Sequence, residues 1–485
     1  MARKKYPVFE RVPGFTERHI LWYKWIMTNQ KTKVRDMTTG SPMVHILIFA
    51  VPLLIGNVFQ QLYNMVDSLI VGNFVGADAI AAVGTCGSVN FLFFSLGNGI
   101  ATGIGILVSQ YFGAGDERSI KATIGNACYV LTAVSLVASV LGIALARPLL
   151  RWMDTPENIL PDSATYMITT CAGMIFIALY NGIAAVLRAL GDSRTPLYFL
   201  ILSSLVNVGL DLLFVLNLGW GVFGVALATV ISQATCALTA LVYALKRVEY
   251  FKLSGEELRP RRFLIEKSFR LGVPIAFQFS MIAVSCIVLQ GVINSFGGTV
   301  MAAATIISRI EQIIQQPYSS LSAALTTYAG QNMGARKIDR VKKGFRQSVL
   351  LVLAFSVLFI PIAYLFGEPI VGVFVKEAEV IAIGKVALRI TSLCYFGLGM
   401  IYVPRAILNG CGDTGFAMIN GVVEVLCRVI YSYILTSIPL LGFWGIWVTT
   451  GATWCTTAVV CLLRYASGVW KKKCLVEDQK QERCS

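Results

Sequence analysis

Long apolar segments separated by short polar stretches recur along the whole chain. Twelve of them are long enough to cross a bilayer, because a spanning helix needs about 20 mostly apolar residues. The predicted spans are 43–70, 84–112, 122–146, 160–187, 196–217, 222–245, 270–296, 300–331, 347–366, 380–408, 415–437 and 442–466. Because the apolar runs are continuous rather than alternating, they do not fit a transmembrane β-barrel. The pattern predicts an all-α polytopic membrane protein.

Four short motifs occur twice, at an offset of 221 or 222 residues. The pairs are Val51-Pro52 with Val273-Pro274, Gln110–Ala114 with Gln331–Ala335, Gly191-Asp192 with Gly412-Asp413, and Gly221-x-x-Gly224 with Gly442-x-x-Gly445. Four motif pairs at nearly the same offset predict two homologous six-helix lobes. Since six is even, a pseudo-two-fold axis along the membrane normal should relate the lobes, with substrate between them.

The repeat divides the chain into five predicted regions. They are a cytoplasmic N-terminal segment (1–42), an N-terminal lobe (43–245), a cytoplasmic linker (246–269), a C-terminal lobe (270–466) and a cytoplasmic tail (467–485). Two lobes that rock about a central cavity suit a transporter that works by alternating access.

The net charge of +15 reflects topology rather than nucleic-acid binding. By our count, 33 of the 41 Lys and Arg residues fall on one side of the predicted membrane and four in loops on the other. The positive-inside rule then puts both termini of a multi-pass plasma membrane protein in the cytoplasm. The two His and twelve Cys residues show no metal-ligand or catalytic spacing. We therefore expect no cofactor and no enzymatic activity.

Two carboxylates interrupt the apolar runs, Asp67 in the first span and Asp211 in the fifth. An ionisable residue at that depth is costly and usually functional. Asp211 shares a helix face with Asn207, and Asp67 ends a polar stripe that includes Asn64. Two close carboxylates with amide and hydroxyl oxygens suit a monovalent cation or a shared proton. The alternative is that these groups only hydrogen-bond neighbouring helices.

Four stretches of sequence resemble one known family. They are the first span from Pro52 to Gly76 (PLLIGNVFQQLYNMVDSLIVGNFVG), the loop motif QYFGAG with the RALGD stretch at 188–192, and the segment from Asn207 to Thr229 (NVGLDLLFVLNLGWGVFGVALAT). All resemble multidrug and toxic compound extrusion (MATE) transporters over roughly residues 40–465. The Asn and Asp four residues apart on the fifth helix are most similar to the DNA-damage-inducible (DinF-like) branch.

This resemblance implies roles for particular residues. The implied cation site comprises Asp67, Asn207, Asp211 and Thr229, which would be metal ligands only if Na⁺ is the coupling ion. Gln60, Tyr63 and Asn181 resemble the polar network of that lobe, and Pro52 resembles a hinge. The NorM-like branch uses acidic residues at two other positions. Here those positions are Ile282 and Leu398, so we expect no second cation site.

The C-terminal repeat lacks the acidic pair. Asp67 corresponds to Leu289, and Asn207 corresponds to Arg428. Glu424 lies one turn before Arg428, which predicts an internal salt bridge on the eleventh span. The alternative is that Glu424 contacts substrate or cation. Arg309 and Glu311 form a second polar cluster, in the eighth span, for which the sequence suggests no role.

Together these features predict a proton- or Na⁺-coupled antiporter that exports amphipathic, cationic organic compounds. Its expected partners are the lipid bilayer and a small-molecule substrate, and we expect a monomer. A lipid-linked precursor flippase of the same wider superfamily is one alternative, although it should have extra spans and a more cationic cavity. A twelve-helix major facilitator transporter is another, although its basic signature loop between the second and third spans is missing.

Overall fold

The computed structural model describes residues 35–476, and within them it consists of helices and short connections. Most of the predicted N-terminal segment 1–42 lies outside the described residues. The α-helices are α1 Pro42–Ile70, α2 Ala77–Ala114, α3 Glu117–Trp152, α4 Leu160–Ala172, α5 Met174–Ala189, α6 Arg194–Leu212, α7 Gly221–Arg247, α8 Arg262–Asn294, α9 Gly298–Gly334, α10 Ile338–Gly372, α11 Ala378–Ser392, α12 Tyr395–Gly410, α13 Gly415–Ser437 and α14 Gly445–Ala466. The all-α prediction is confirmed.

Each of the twelve predicted spans has a helical counterpart in the described residues. Nine single helices are long and apolar enough to cross a membrane. Two more spans are pairs of helices, α4 with α5 and α11 with α12, bent by 46° and 47°. The twelfth counterpart is α9. It is less apolar than the other spans because it carries Arg309, Glu311 and several Gln residues. A helix that lines a polar cavity does not need a fully apolar surface.

The linker between the lobes differs in length from the predicted 246–269. In the structure α7 ends at Arg247 and α8 begins at Arg262. The hydropathy pattern marks where the chain enters lipid, whereas the helix continues beyond that point. The linker also packs on α3, because the Asn126 side chain accepts a 2.7 Å hydrogen bond from the Arg261 backbone.

The two lobes meet where glycines let helix backbones approach closely. A Cβ atom added at Gly113 would lie 1.8 Å from the Gln331 carbonyl oxygen. A Cβ atom added at its repeat counterpart, Gly334, would lie 1.8 Å from the Gln110 carbonyl oxygen. Helices α2 and α9 therefore cross in reciprocal contact at the predicted cytoplasmic face, and only glycine fits at the crossing.

Two glutamines complete this reciprocal contact. The Gln110 side-chain amide donates to the Gly410 carbonyl at 2.9 Å, and the Gln331 amide donates to the Ala189 carbonyl at 2.9 Å. Because Ala189 and Gly410 are also repeat counterparts, each lobe caps a broken span of the other. In this structure the predicted cytoplasmic ends of the lobes are closed against each other.

We expect Gly334→Ala to open this closed contact, because the added methyl group meets backbone atoms that cannot move aside cheaply. Spin labels at the exposed positions Glu117 and Asp339 should report the change. Wild type should give one short distance population, and the variant should add a longer one. Gly291→Ala is the matched control, since a methyl group there meets no neighbouring element within 4 Å. An unchanged distance distribution in Gly334→Ala would contradict the proposed role of this crossing.

Candidate functional site

One face of α1 carries four polar side chains toward a cavity in the N-terminal lobe. Gln60, Tyr63, Asn64 and Asp67 are spaced at intervals of three, one and three residues, so they share a helix face. All four line a cavity of about 430 Å³. Thr229 of α7, Asn181 of α5 and Pro52 of α1 line the same cavity.

Helix α6 carries the second carboxylate, Asp211, which contacts Asp67 from behind the residues that line this cavity. Asn207 and Asp211 are both 0% exposed. When the Asn207 amide is oriented to satisfy both neighbours, its nitrogen donates to Asp211 Oδ2 at 2.8 Å. Its oxygen then accepts from the Thr229 backbone N–H at 3.3 Å. The structure thus joins α6 to α7 through Asn207.

The carboxyl groups of Asp67 and Asp211 contact each other across α1 and α6. The Oδ1 atom of each is buried and has no hydrogen-bond partner. Two ionised carboxylates in contact repel strongly where water is scarce. The unpartnered oxygens therefore fit a proton or small cation that neutralises the pair. Within residues 35–476 no cluster of three His, Cys, Asp or Glu side chains could hold a metal ion.

Both carboxylate-bearing helices change geometry just beyond the site. α1 continues as a π-helix over Val71–Val75, and α6 continues as a π-helix over Leu213–Asn217. Val71 and Val215, one from each π-helix, belong to the same buried cluster. Because π-helical turns occur frequently at functional sites, this pairing marks the region around Asp67 and Asp211 as specialised.

Comparison with known proteins identifies the family. The family model MatE matches residues 52–213 and again residues 274–434. The chain belongs to the MatE family. The two matches coincide with the two lobes, and because the family consists of transporters, the expectation of a transporter rather than an enzyme is confirmed. The alternative of a major facilitator transporter is wrong.

Curated relatives and solved structures agree with this MatE assignment. The chain is 31% identical over 434 residues to "Probable multidrug resistance protein YoeA" of Bacillus subtilis, covering 88% of this chain and 94% of that protein. It is 24% identical to "Probable multidrug resistance protein NorM" of Thermotoga maritima, covering 89% and 94%. A solved outward-facing MATE family transporter of the MOP superfamily has the same fold, with a TM-score of 0.83, 24% identity and coverage of 91% and 99%.

The structure also places the polar pair of the C-terminal lobe of this MatE protein. Arg428 Nη2 lies 3.4 Å from Glu424 Oε1, and both side chains are more than nine-tenths buried. This contact is the salt bridge predicted from the sequence. It lies in the other lobe, so it is no part of the Asp67 and Asp211 site.

Sequence reasoning missed several residues of the N-terminal cavity. They are Asn90, Asn98, Tyr166, Thr170, Tyr180, Arg188 and Gln233. Asn90 donates to Thr170 Oγ1 at 3.2 Å, so it joins α2 to α4. A single polar residue in an apolar helix also serves as interhelical glue, so it gives a weak signal. The internal repeat gives a stronger signal for Asn90, because this residue corresponds to the charged Glu311.

We expect the wild-type protein to lose thermal stability as the pH rises, and Asp67→Asn to lose less. The amide removes one of two contacting negative charges and can donate to Asp211. At pH 8.5 the purified variant should melt about 2 to 4 °C above wild type, and the difference should shrink toward pH 5. Asp78→Asn, at an exposed carboxylate, is the control and should leave the pH profile unchanged. Identical profiles for wild type and Asp67→Asn would show that the two carboxylates do not repel in the folded protein.

Proposed function

We propose that this MatE transporter is a cation-coupled antiporter that exports amphipathic, cationic organic compounds by alternating access. The observation that carries the proposal is the contact between Asp67 and Asp211, whose Oδ1 atoms are buried and unpartnered. Either a proton or Na⁺ can satisfy these oxygens, with Asn207 and Thr229 as the neighbouring oxygen donors. Inward movement of that cation would drive export.

The coupling step in this proposal uses α1. This helix carries both Asp67 and Pro52, which lie about 22 Å apart along it at 1.5 Å per residue. Proline removes a backbone hydrogen bond from the helix interior and so marks a point where α1 can bend. Neutralising the carboxylate pair lets α1 pack more closely on α6. Cation binding then favours one conformation of α1 over another, which is the differential affinity that coupling requires.

The substrate class rests on the relatives and on the cavity. Two curated relatives carry the words multidrug resistance protein in their names. The N-terminal cavity combines aromatic and apolar walls, among them Phe94, Tyr166 and Leu200, with few acidic groups. Such walls suit amphipathic compounds of varied shape. In this proposal the protein works as a monomer in the plasma membrane with both termini in the cytoplasm, as the excess of basic residues on one side indicates.

We expect Asp211→Asn to abolish gradient-driven export, because one neutral and one acidic side chain no longer exchange a cation as a pair. Export of a fluorescent organic cation from proteoliposomes, under a pH gradient and a Na⁺ gradient in separate runs, measures this. The run that drives wild type identifies the coupling ion. Asp78→Asn should export like wild type, and equal amounts of protein must be inserted in each case.

Normal export by Asp211→Asn would contradict the coupling role. Wild type that exports no dye under either gradient would instead favour a lipid-linked substrate, which a lipid-flipping assay on the same proteoliposomes measures directly.

We also expect Pro52→Ala to slow export at least tenfold while leaving cation binding within twofold of wild type. Alanine restores the missing backbone hydrogen bond and stiffens α1, but it leaves Asp67 and Asp211 in place. Export rate and cation-dependent thermal stabilisation are the two measurements. The matched control is Pro274→Ala, at the repeat counterpart in α8. Equal slowing in both variants would show a general need for helix flexibility rather than a specific hinge in α1.

A further inference from the structure

A second polar cavity lies in the C-terminal lobe, and the coupling scheme does not use it. Its volume is about 280 Å³. Four charged side chains from three helices line it: Glu311 of α9, Arg405 of α12, and Glu424 and Arg428 of α13. Charged groups at this depth are costly, so a set of four calls for a functional explanation.

This cavity is the repeat counterpart of the N-terminal one. The residue pairs that line both cavities, with the N-terminal residue first, are Asn64 and Cys286, Asp67 and Leu289, Asn90 and Glu311, Asn181 and Tyr402, Thr229 and Thr450, and Gln233 and Trp454. Equivalent helices of the two lobes therefore build the two cavities. Because the scaffold is shared, any difference in what the cavities bind must come from the side chains.

The charged side chains of the second cavity are incompletely satisfied. Arg428 reaches Glu424 Oε1 and Cys286 Sγ at 3.4 Å each, and its Nε has no partner. Its side chain is only 7% exposed. Oε1 of Glu311 is likewise buried without a partner. The buried guanidinium has only two long contacts, and the buried carboxylate has an oxygen without a partner. A ligand can supply the missing hydrogen-bond partners of both.

Arg405 adds a second cationic group to the cavity wall. Its guanidinium lies 4.9 Å from the centroid of the Tyr402 ring, and it is partly exposed to the cavity. Among the described residues no carboxylate comes within 4 Å of it. A guanidinium held by an aromatic ring but unpaired with an acid is ready to bind a carboxylate in bidentate geometry.

We propose that this cavity binds a zwitterionic organic compound, with its anionic group on Arg405 and Arg428 and its cationic group on Glu311. The cavity carries two acidic and two basic side chains. The two arginines therefore repel a purely cationic ligand, and the two carboxylates repel a purely anionic one. A ligand with both charges compensates both signs. Tyr402, Trp447 and Trp454 supply apolar walls for its ring system.

This inference adds a second ligand class, zwitterions, to the cationic compounds of the proposed export function, and it rests on that function only for its biological use. Binding is measured at equilibrium without an ion gradient, so the two can fail separately. An Asp211→Asn variant that loses export but still binds the zwitterion would leave the binding site established.

The test compares two dyes that differ by one methyl ester. Rhodamine 110 carries a free carboxylate beside its cationic ring system, and rhodamine 123 is its methyl ester with a single positive charge. Fluorescence anisotropy on the purified full-length protein gives the dissociation constant of each. Wild type should bind rhodamine 110 at least tenfold more tightly than the ester.

Variants of the cavity side chains then show which residue binds the anionic group of the dye and which binds its cationic group. Arg405→Gln should weaken rhodamine 110 at least tenfold, because it removes a charged hydrogen bond to the carboxylate, and change rhodamine 123 by less than threefold. Arg405→Lys should retain part of the affinity. Glu311→Gln should weaken both dyes, since both carry the cation, and Asp78→Asn should change neither. No preference of wild type for rhodamine 110, or equal changes for the two dyes in Arg405→Gln, would overturn the proposal. A misfolded Arg405→Gln would leave Arg405→Lys and Glu311→Gln to decide.

Discussion

A charge inside a membrane needs a compensating charge close to it, and this constraint governs the chemistry of both lobes. In the N-terminal lobe Asp67 meets Asp211, and within residues 35–476 no basic side chain lies within 4 Å of either. Compensation must then come from solution. In the C-terminal lobe Arg428 provides it from the chain itself, beside Glu424. In the proposed coupling scheme the N-terminal lobe exchanges a cation, whereas the C-terminal lobe pairs Glu424 with an arginine of its own chain.

The internal repeat explains how one scaffold supports both arrangements. The backbone contacts at the lobe crossing are reciprocal, because Gly113 and Gly334 each meet a carbonyl oxygen of the other helix. Those contacts constrain helix positions and leave the cavity side chains free to differ. Arg428 stands at the position equivalent to Asn207, so the C-terminal lobe has a positive charge where the N-terminal lobe has a neutral amide. Under the two proposals, one duplicated fold holds a cation in one lobe and a zwitterion at the equivalent place in the other.

The sequence predicted the fold well, because apolar runs of bilayer length allow only helices and because the repeat shows in short motifs. It also singled out Asp67 and Asp211, which contact each other in the structure, since a carboxylate in an apolar run is conspicuous. The bends between α4 and α5 and between α11 and α12 were not predicted, because no proline separates the helices of either pair at the break itself. The π-helices and Asn90 were missed because neither has a distinctive pattern in one sequence. The start of α8 at Arg262 was not predicted, since hydropathy indicates which residues contact lipid rather than where the helix begins.

The two cavities are connected through helices α1 and α9. Helix α1 carries Asp67, and ten residues earlier its Asn57 donates to Ser320 Oγ of α9 at 3.1 Å. Helix α9 carries Glu311 nine residues before Ser320. In the proposed scheme, a shift of α1 on cation binding reaches α9 through this contact, and α9 lines the second cavity. Coupling between distant sites requires an element that both ligands bias. In the proposed scheme the α1 and α9 pair is that element, because each helix lines one cavity and the two pack against each other.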